Sequence, residues 1–179
     1  AIAQFRGNKL KSLVCEILQN SLDNPASSEQ EDPVKVVFEV KERARDDIPN
    51  LNELCSRLRA CKENSAGESQ TSQEEIDLAI KVANSPKIAC LSISDFNTGG
   101  LIGPDDPNSN FHTYLKTEGS SGGNAGRGGS HGHGKASVLS MSSLRAIFVA
   151  TCWKENAGFN RLYQGRATLM THKSGNKSY

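Results

Sequence analysis

Three short segments of this chain carry residue types that can do chemistry together. The first is Glu16-Ile17-Leu18-Gln19-Asn20-Ser21-Leu22-Asp23. On a helix, Glu16, Asn20 and Asp23 share one polar face, and Leu13, Val14, Ile17, Leu18 and Leu22 supply apolar surface around it. A carboxylate beside an attacking water can act as a general base. An amide oxygen one turn away can ligate Mg²⁺, which takes few protein oxygens and completes its shell with phosphates and waters. Taken alone, the same stripe fits a solvated helix face better.

The second segment is Ser94-Asp95-Phe96-Asn97-Thr98-Gly99-Gly100. An apolar run ends abruptly in Asp and then in a glycine pair. Asp95 could accept a hydrogen bond from the exocyclic amine of a base, and the glycines permit close backbone approach to a ligand. A plain turn closed by an Asx bond fits the residues equally well. The third segment is Gly128-Gly129-Ser130-His131-Gly132-His133-Gly134-Lys135-Ala136-Ser137. Gly129, Gly132 and Gly134 precede a predicted helix, so freed backbone N–H groups and a helix N-terminus would form an anion cradle, with Lys135 adding a point charge. The alternative is a flexible linker, which the following helix and Lys135 disfavour. A Walker A loop is excluded, because Ala136 stands where Ser or Thr must hold Mg²⁺ and no strand feeds the loop. The missing strand also excludes a Rossmann fingerprint. His131 and His133 lack the Cys or acidic residues that would complete a zinc site.

The elements that must position these residues are legible from periodicity. Residues 5–22 predict an amphipathic helix, stopped by Asp23-Asn24-Pro25. Residues 34–41 predict a strand. Residues 46–86 predict helix broken once, with Leu51, Leu54, Leu58 and Cys61 on one face. Ser72 with Glu75 reads as a capping box that opens the second helix, whose inner face is Ile76, Ala79, Ile80 and Ala83. Residues 87–94 predict a strand running into Asp95, and 111–117 a short helix. Residues 118–134 are a Gly/Ser segment without core-forming residues. Residues 135–143 predict a helix. Residues 144–152 and 159–172 predict two strands joined by a hairpin through 155–158. This order fits an α+β fold with a mixed, mostly antiparallel sheet and helices on one face.

With 179 residues, 36% of them hydrophobic, the chain is long enough for one ordinary domain. A net charge of +1 gives no global pull toward nucleic acid or an anionic membrane. No apolar run reaches bilayer-spanning length. The five cysteines form no CxxC pair, and Cys15, Cys90 and Cys152 read as small packed hydrophobes, so a reducing, cytoplasmic setting is expected. A start at Ala and an end in Ser174-Gly-Asn-Lys-Ser-Tyr179 read as cuts inside a longer protein.

In combination and in this order, the three segments resemble the GHKL ATPase superfamily: gyrase-class type II topoisomerases, the ninety-kilodalton heat-shock chaperones, sensor histidine kinases and MutL. Glu16 to Asp23 looks like the N box, Asp95-Phe-Asn-Thr-Gly99 like the DxGxG box, and Gly129 to Gly134 like the second glycine box at the end of the ATP lid. The resemblance spans residues 5–171. It implies a two-layer α/β sandwich of Bergerat type formed as a single domain over 1–179, with 118–134 as lid. It implies ATP and Mg²⁺ as ligands, hydrolysis as the activity and dimerisation on ATP binding. Glu16 would be the base, Asn20 the metal ligand, and Asp23 a wall of the pocket. Asp95 would bind the adenine amine, with Gly99 letting the purine lie on the backbone. Gly129, Gly132, Gly134 and Lys135 would meet the phosphates. A supporting Thr on a late strand would be Thr168, with Thr171 as its rival. Asn97 departs from the family's first glycine, and the stretch 46–72 has no motif counterpart. A narrower similarity points to bacterial members of antiviral defence operons, whose partners would be downstream domains and other operon proteins; nucleic acid would be met through domains missing here. A non-catalytic nucleotide-binding module and a histidine-kinase-like phosphotransferase are the competing expectations.

Overall fold

The computed structural model describes residues 9–26, 32–116, 133–155, 158–174 and 177–178. Among these the fold is α+β. The elements run α1 (Lys9–Leu22), β1 (Lys35–Ala44), a 3-10 turn (Arg45–Asp47), α2 (Leu51–Glu63), α3 (Gln70–Ala83), β2 (Lys87–Phe96), α4 (Asn110–Leu115), α5 (His133–Met141), β3 (Ala146–Glu155), β4 (Gly158–Ala167), β5 (Lys173–Ser174) and β6 (Lys177–Ser178). The strands pair as β1–β2, β3–β4 and β5–β6. The chain forms two compact units, one of Ala1–Val37, Ser94–Met141 and Ile147–Arg166, the other of Phe38–Ile93, Ser142–Ala146 and Ala167–Tyr179.

The second unit owes its core to two helices with matched apolar stripes. Leu51, Cys55 and Leu58 of α2 meet Ala79 and Ala83 of α3, and Ile88 and Leu144 close the cluster. The three- and four-residue spacing puts these side chains on facing stripes, and the two alanines permit close approach. Arg45 ties the end of α3 down: its Nε donates to Ala83 O at 2.8 Å and an Nη to Asn52 Oδ1 at 2.7 Å, satisfying a carbonyl that the helix end leaves open. Just after β1, Arg45 N donates to Pro86 O at 3.0 Å, just before β2, which fixes the two strands as antiparallel.

The first unit is built around α1 and α5, which pack together. Leu13 of α1 is fully buried, as are Phe111 and Leu115 of α4 to within about a hundredth of their surface. Lys9 Nζ donates to Ser140 O at 3.4 Å along the α1–α5 contact. The two residues between Glu155 and Gly158 are too few for a crossover, so β3 and β4 form an antiparallel hairpin.

Several expectations are corrected. The α3 cap is Ser69, whose Oγ accepts from Ser72 N at 3.3 Å; Ser72 lies inside the first turn, because Gln70 and Thr71 are already helical. β4 ends at Ala167 rather than at residue 172, and β1 extends to Ala44. Leu18 and Leu22 are 39% and 63% exposed, since the buried side of α1 centres on Leu13 and they lie toward its far side. Cys15 and Cys152 are exposed, whereas Cys55 and Cys61 are the buried thiols. Strand alternation turns Cys152 outward, and Cys15 lies on the far side of α1 from Leu13. Burial pushes the Cys61 thiol up, so it is a packing residue rather than a nucleophile. Among the described residues no helix is long and apolar enough to cross a membrane.

The cap assignment has a direct test. Ser69→Ala should lower stability in urea unfolding by about 1 kcal/mol, the usual cost of losing an N-cap. Ser72→Ala should cost less than half as much, and equal losses would return the cap to Ser72.

Candidate functional site

The site grows from the way α1 ends. Asp23, Asn24 and Pro25 break the helix, and the broken end is stitched to the turn after β2. Pro25 and Thr98 form an isolated antiparallel bridge. Ala26 N donates to Asn97 O at 3.2 Å and Gly99 N donates to Asn24 O at 2.9 Å. Asn24 Nδ2 reaches Gly100 O at 3.1 Å. One turn back, Ser21 Oγ donates to Asp95 Oδ2 at 3.2 Å, and Ser21 itself is only 4% exposed. A hydroxyl beside a carboxylate can only donate to it, so this bond leaves the other Asp95 oxygen as an acceptor.

The backbone of the turn explains its residues. Asn97 has φ 60° and Gly100 φ +71°. The left-handed region suits Gly and, among the other residues, Asn best. Asn97 therefore takes the left-handed conformation without a glycine. Its Nδ2 also donates to Pro33 O at 2.9 Å. Gly100 is required twice over, because a Cβ there would lie 2.5 Å from Cys152 O. The room left at Gly99 is used by the protein itself: a Cβ would lie 2.9 Å from Asn24 Oδ1. From β3, Thr151 Oγ1 accepts from Leu101 N at 2.8 Å and donates to Leu101 O at 3.2 Å, which pins the exit of the turn.

Glu16, Asn20, Asp23, Asp95 and Gly99 all belong to the first unit. Asn20, Asp23 and Asp95 are exposed and Glu16 partly so. Tyr114 of α4 links the two acidic positions electrically. Its phenol is pushed up to about 12, first by burial, then by the negative charges of Asp95 and Glu16. Two residues earlier, His112 Nδ1 is buried without a hydrogen-bond partner among the described residues. Gly134 and Lys135 stand in the first turn of α5, in the same unit. Gly129 and Gly132, with most of the 118–134 segment, lie outside the described residues. Thr168 and Thr171 belong to the second unit. There Thr168 N donates to Arg145 O at 2.9 Å, and its hydroxyl is buried without a partner among the described residues.

The donor set suits a hard cation. Glu16, Asn20 and Asp23 offer only oxygen among their exposed metal-binding atoms, the ligand type Mg²⁺ takes. Among the described residues no group of three or more His, Cys, Asp or Glu could hold a metal, so Mg²⁺ here would depend on phosphate oxygens as well.

Ser21, Asn24, Tyr114 and Thr151 were missed in the sequence. Ser21 had a signal: it extends the Leu13–Ile17 row by one turn, so a polar side chain lay on the buried stripe. Asn24 read only as a helix stop. Nothing local marked Tyr114 or Thr151, whose partners are far away in sequence. Comparison with known protein families, with curated proteins and with solved structures found no match.

Two measurements probe this geometry. Gly100→Ala should destabilise the protein by about 1–3 kcal/mol, from a disfavoured φ together with a clash against β3. Native-like stability would refute the close approach. In a spectrophotometric titration Tyr114 should ionise near 12, above the ordinary phenol near 10. Because its folded value is raised, its contribution to stability is intact below about pH 10 and is lost as pH climbs toward 12. Glu16→Gln should move that ionisation downward; an unmoved value would separate Glu16 from Tyr114.

Proposed function

We propose that this chain is a GHKL-type nucleotide-binding domain, a two-layer Bergerat sandwich, that binds ATP with Mg²⁺ and hydrolyses it. The observation that carries the reading is the stitch between the end of α1 and the turn after β2. Through it Ser21 holds Asp95, and the polar stripe of Glu16, Asn20 and Asp23 shares one unit with the Asp95 turn and with α5. Two sequence segments that had only their order in common are thus physically joined.

In this reading Asp95 accepts a hydrogen bond from the adenine amine through the carboxylate oxygen that Ser21 leaves open. Glu16 polarises the attacking water, and the neighbouring phenol of Tyr114 stays protonated at neutral pH. Asn20 would hold Mg²⁺, with Asp23 beside it; the ion would offset phosphate charge. Gly129, Gly132, Gly134 and Lys135 would receive the phosphates at the start of α5, where helix N–H groups face an anion favourably. Nucleotide binding would favour a homodimer, so the cycle would act as a switch. What the switch drives would be set by further domains or operon partners.

Glu16→Ala should retain ATP binding by calorimetry yet lose roughly 100-fold or more in phosphate release, the scale of a general base. Asp95→Asn should weaken ATP binding while leaving the fold intact. Labelled ATP separates the competing activities: free phosphate marks an ATPase, labelled protein a phosphotransferase, and retained intact nucleotide a binding module. If ATP with Mg²⁺ produces no thermal shift and no heat of binding, the proposal falls.

A further inference from the structure

We propose that the outer face of the β3–β4 hairpin is a stacking platform for single-stranded nucleic acid. The inference does not depend on the nucleotide reading, and its residues take no part in that site.

Successive strand residues point to opposite faces. At alternating positions of β3 the exposed residues are Phe148, Ala150, Cys152 and Lys154, with Glu155 also exposed at the strand end; on β4 the exposed set includes Phe159, Arg161, Tyr163 and Gly165. Two contacts put both sets on one surface. The rings of Phe148 and Tyr163 are parallel to within 3°, with centroids 5.9 Å apart. Phe148 also covers Gly165, where a Cβ would lie 3.1 Å from its ring. Phe148, Tyr163 and Phe159 nevertheless remain 43%, 55% and 71% exposed. Covering Gly165 and stacking on each other account for part of the Phe148 and Tyr163 rings and leave their exposed remainder and most of Phe159 unexplained.

Charge decides what would cover it. From Ala146 to Ala167 the sequence holds Lys154, Arg161 and Arg166 against a single acid, Glu155. Glu155 Oε2 accepts from Asn160 Nδ2 at 2.6 Å. Lys154 and Arg161 share the outer face with the rings, and no carboxylate sits at its alternating positions. That face carries no Leu, Ile, Val or Met, so its large apolar side chains are all aromatic. Ala150 and Cys152 keep its floor low between the rings and the cations. Flat rings interleaved with cations suit a ligand of planar bases on a phosphate backbone. The bases must be unpaired to stack, which selects a single strand over a duplex. A chain of net charge +1 gives no long-range attraction, so binding should be local and salt-sensitive.

The test is fluorescence anisotropy of labelled oligo-dT and oligo-U of roughly fifteen nucleotides, a length matched to small single-strand sites. Saturable binding of either is expected, with duplex DNA a poor competitor. Phe148→Ala combined with Tyr163→Ala should weaken it about tenfold or more, since each lost stacking contact is costly. Lys154→Gln combined with Arg161→Gln should flatten the salt dependence by about 1.4 logarithmic units per logarithmic unit, near 0.7 for each phosphate contact on a single strand. The charge pair guards against misfolding of the aromatic pair, and melting curves check both. No saturable binding at low salt overturns the proposal, as does binding that ignores both variants. Self-association by sedimentation that the aromatic pair abolishes would overturn it too, by assigning the face to a second copy of the chain.

Discussion

The candidate site depends on one constraint: a helix must stop where its last turn can be tied to the end of a strand. Asp23-Asn24-Pro25 ends α1, and the freed backbone groups at Asn24 and Ala26 pair with Asn97 and Gly99 instead of continuing the helix. A helix end leaves backbone groups without intrahelical partners, and the turn after β2 supplies them here. Ser21 adds a side-chain tie from inside the helix to Asp95. Once that join exists, the polar stripe of α1 and the acid at the end of β2 have a defined relation.

The same join explains why the turn is built from Asn97, Gly99 and Gly100. Left-handed backbone at Asn97 and Gly100 reverses the chain. Asn24 fills the space beside Gly99, and the backbone of β3 approaches Gly100. Thr151 then fixes Leu101. The backbone neighbour leaves no room for a side chain at Gly100, whereas at Gly99 the Asn24 side chain would have to move. A negative field accompanies this packing: Asp95 and Glu16 both act on the Tyr114 phenol. Asp95 is exposed and Glu16 partly so, so both carboxylates can be reached from solvent.

The second unit is organised by different physics. Its core is a plain interlock of α2 and α3, completed by Ile88 and Leu144. Here periodicity alone was a sufficient guide, because apolar stripes at helical spacing have few other ways to be buried. The beginning of α3 was misread for a local reason. Ser69 and Ser72 are both capable caps, and only the start of helical backbone at Gln70 distinguishes them.

Sequence alone determined the five α-helices and the first four strands in outline, the inner faces of α2 and α3, the break after α1 and the turn after Asp95, but not β5 or β6. These follow from local spacing, from proline's missing donor and from the tolerance of Gly and Asn for left-handed backbone. Only the tertiary structure decided that Ser21 holds Asp95, that Asn24 occupies the space beside Gly99, that Thr151 secures Leu101, and that Leu18, Leu22, Cys15 and Cys152 face outward. Those outcomes depend on partners tens of residues away. Periodicity can say that a residue is on a face, but which face is covered is set by the segment that packs there.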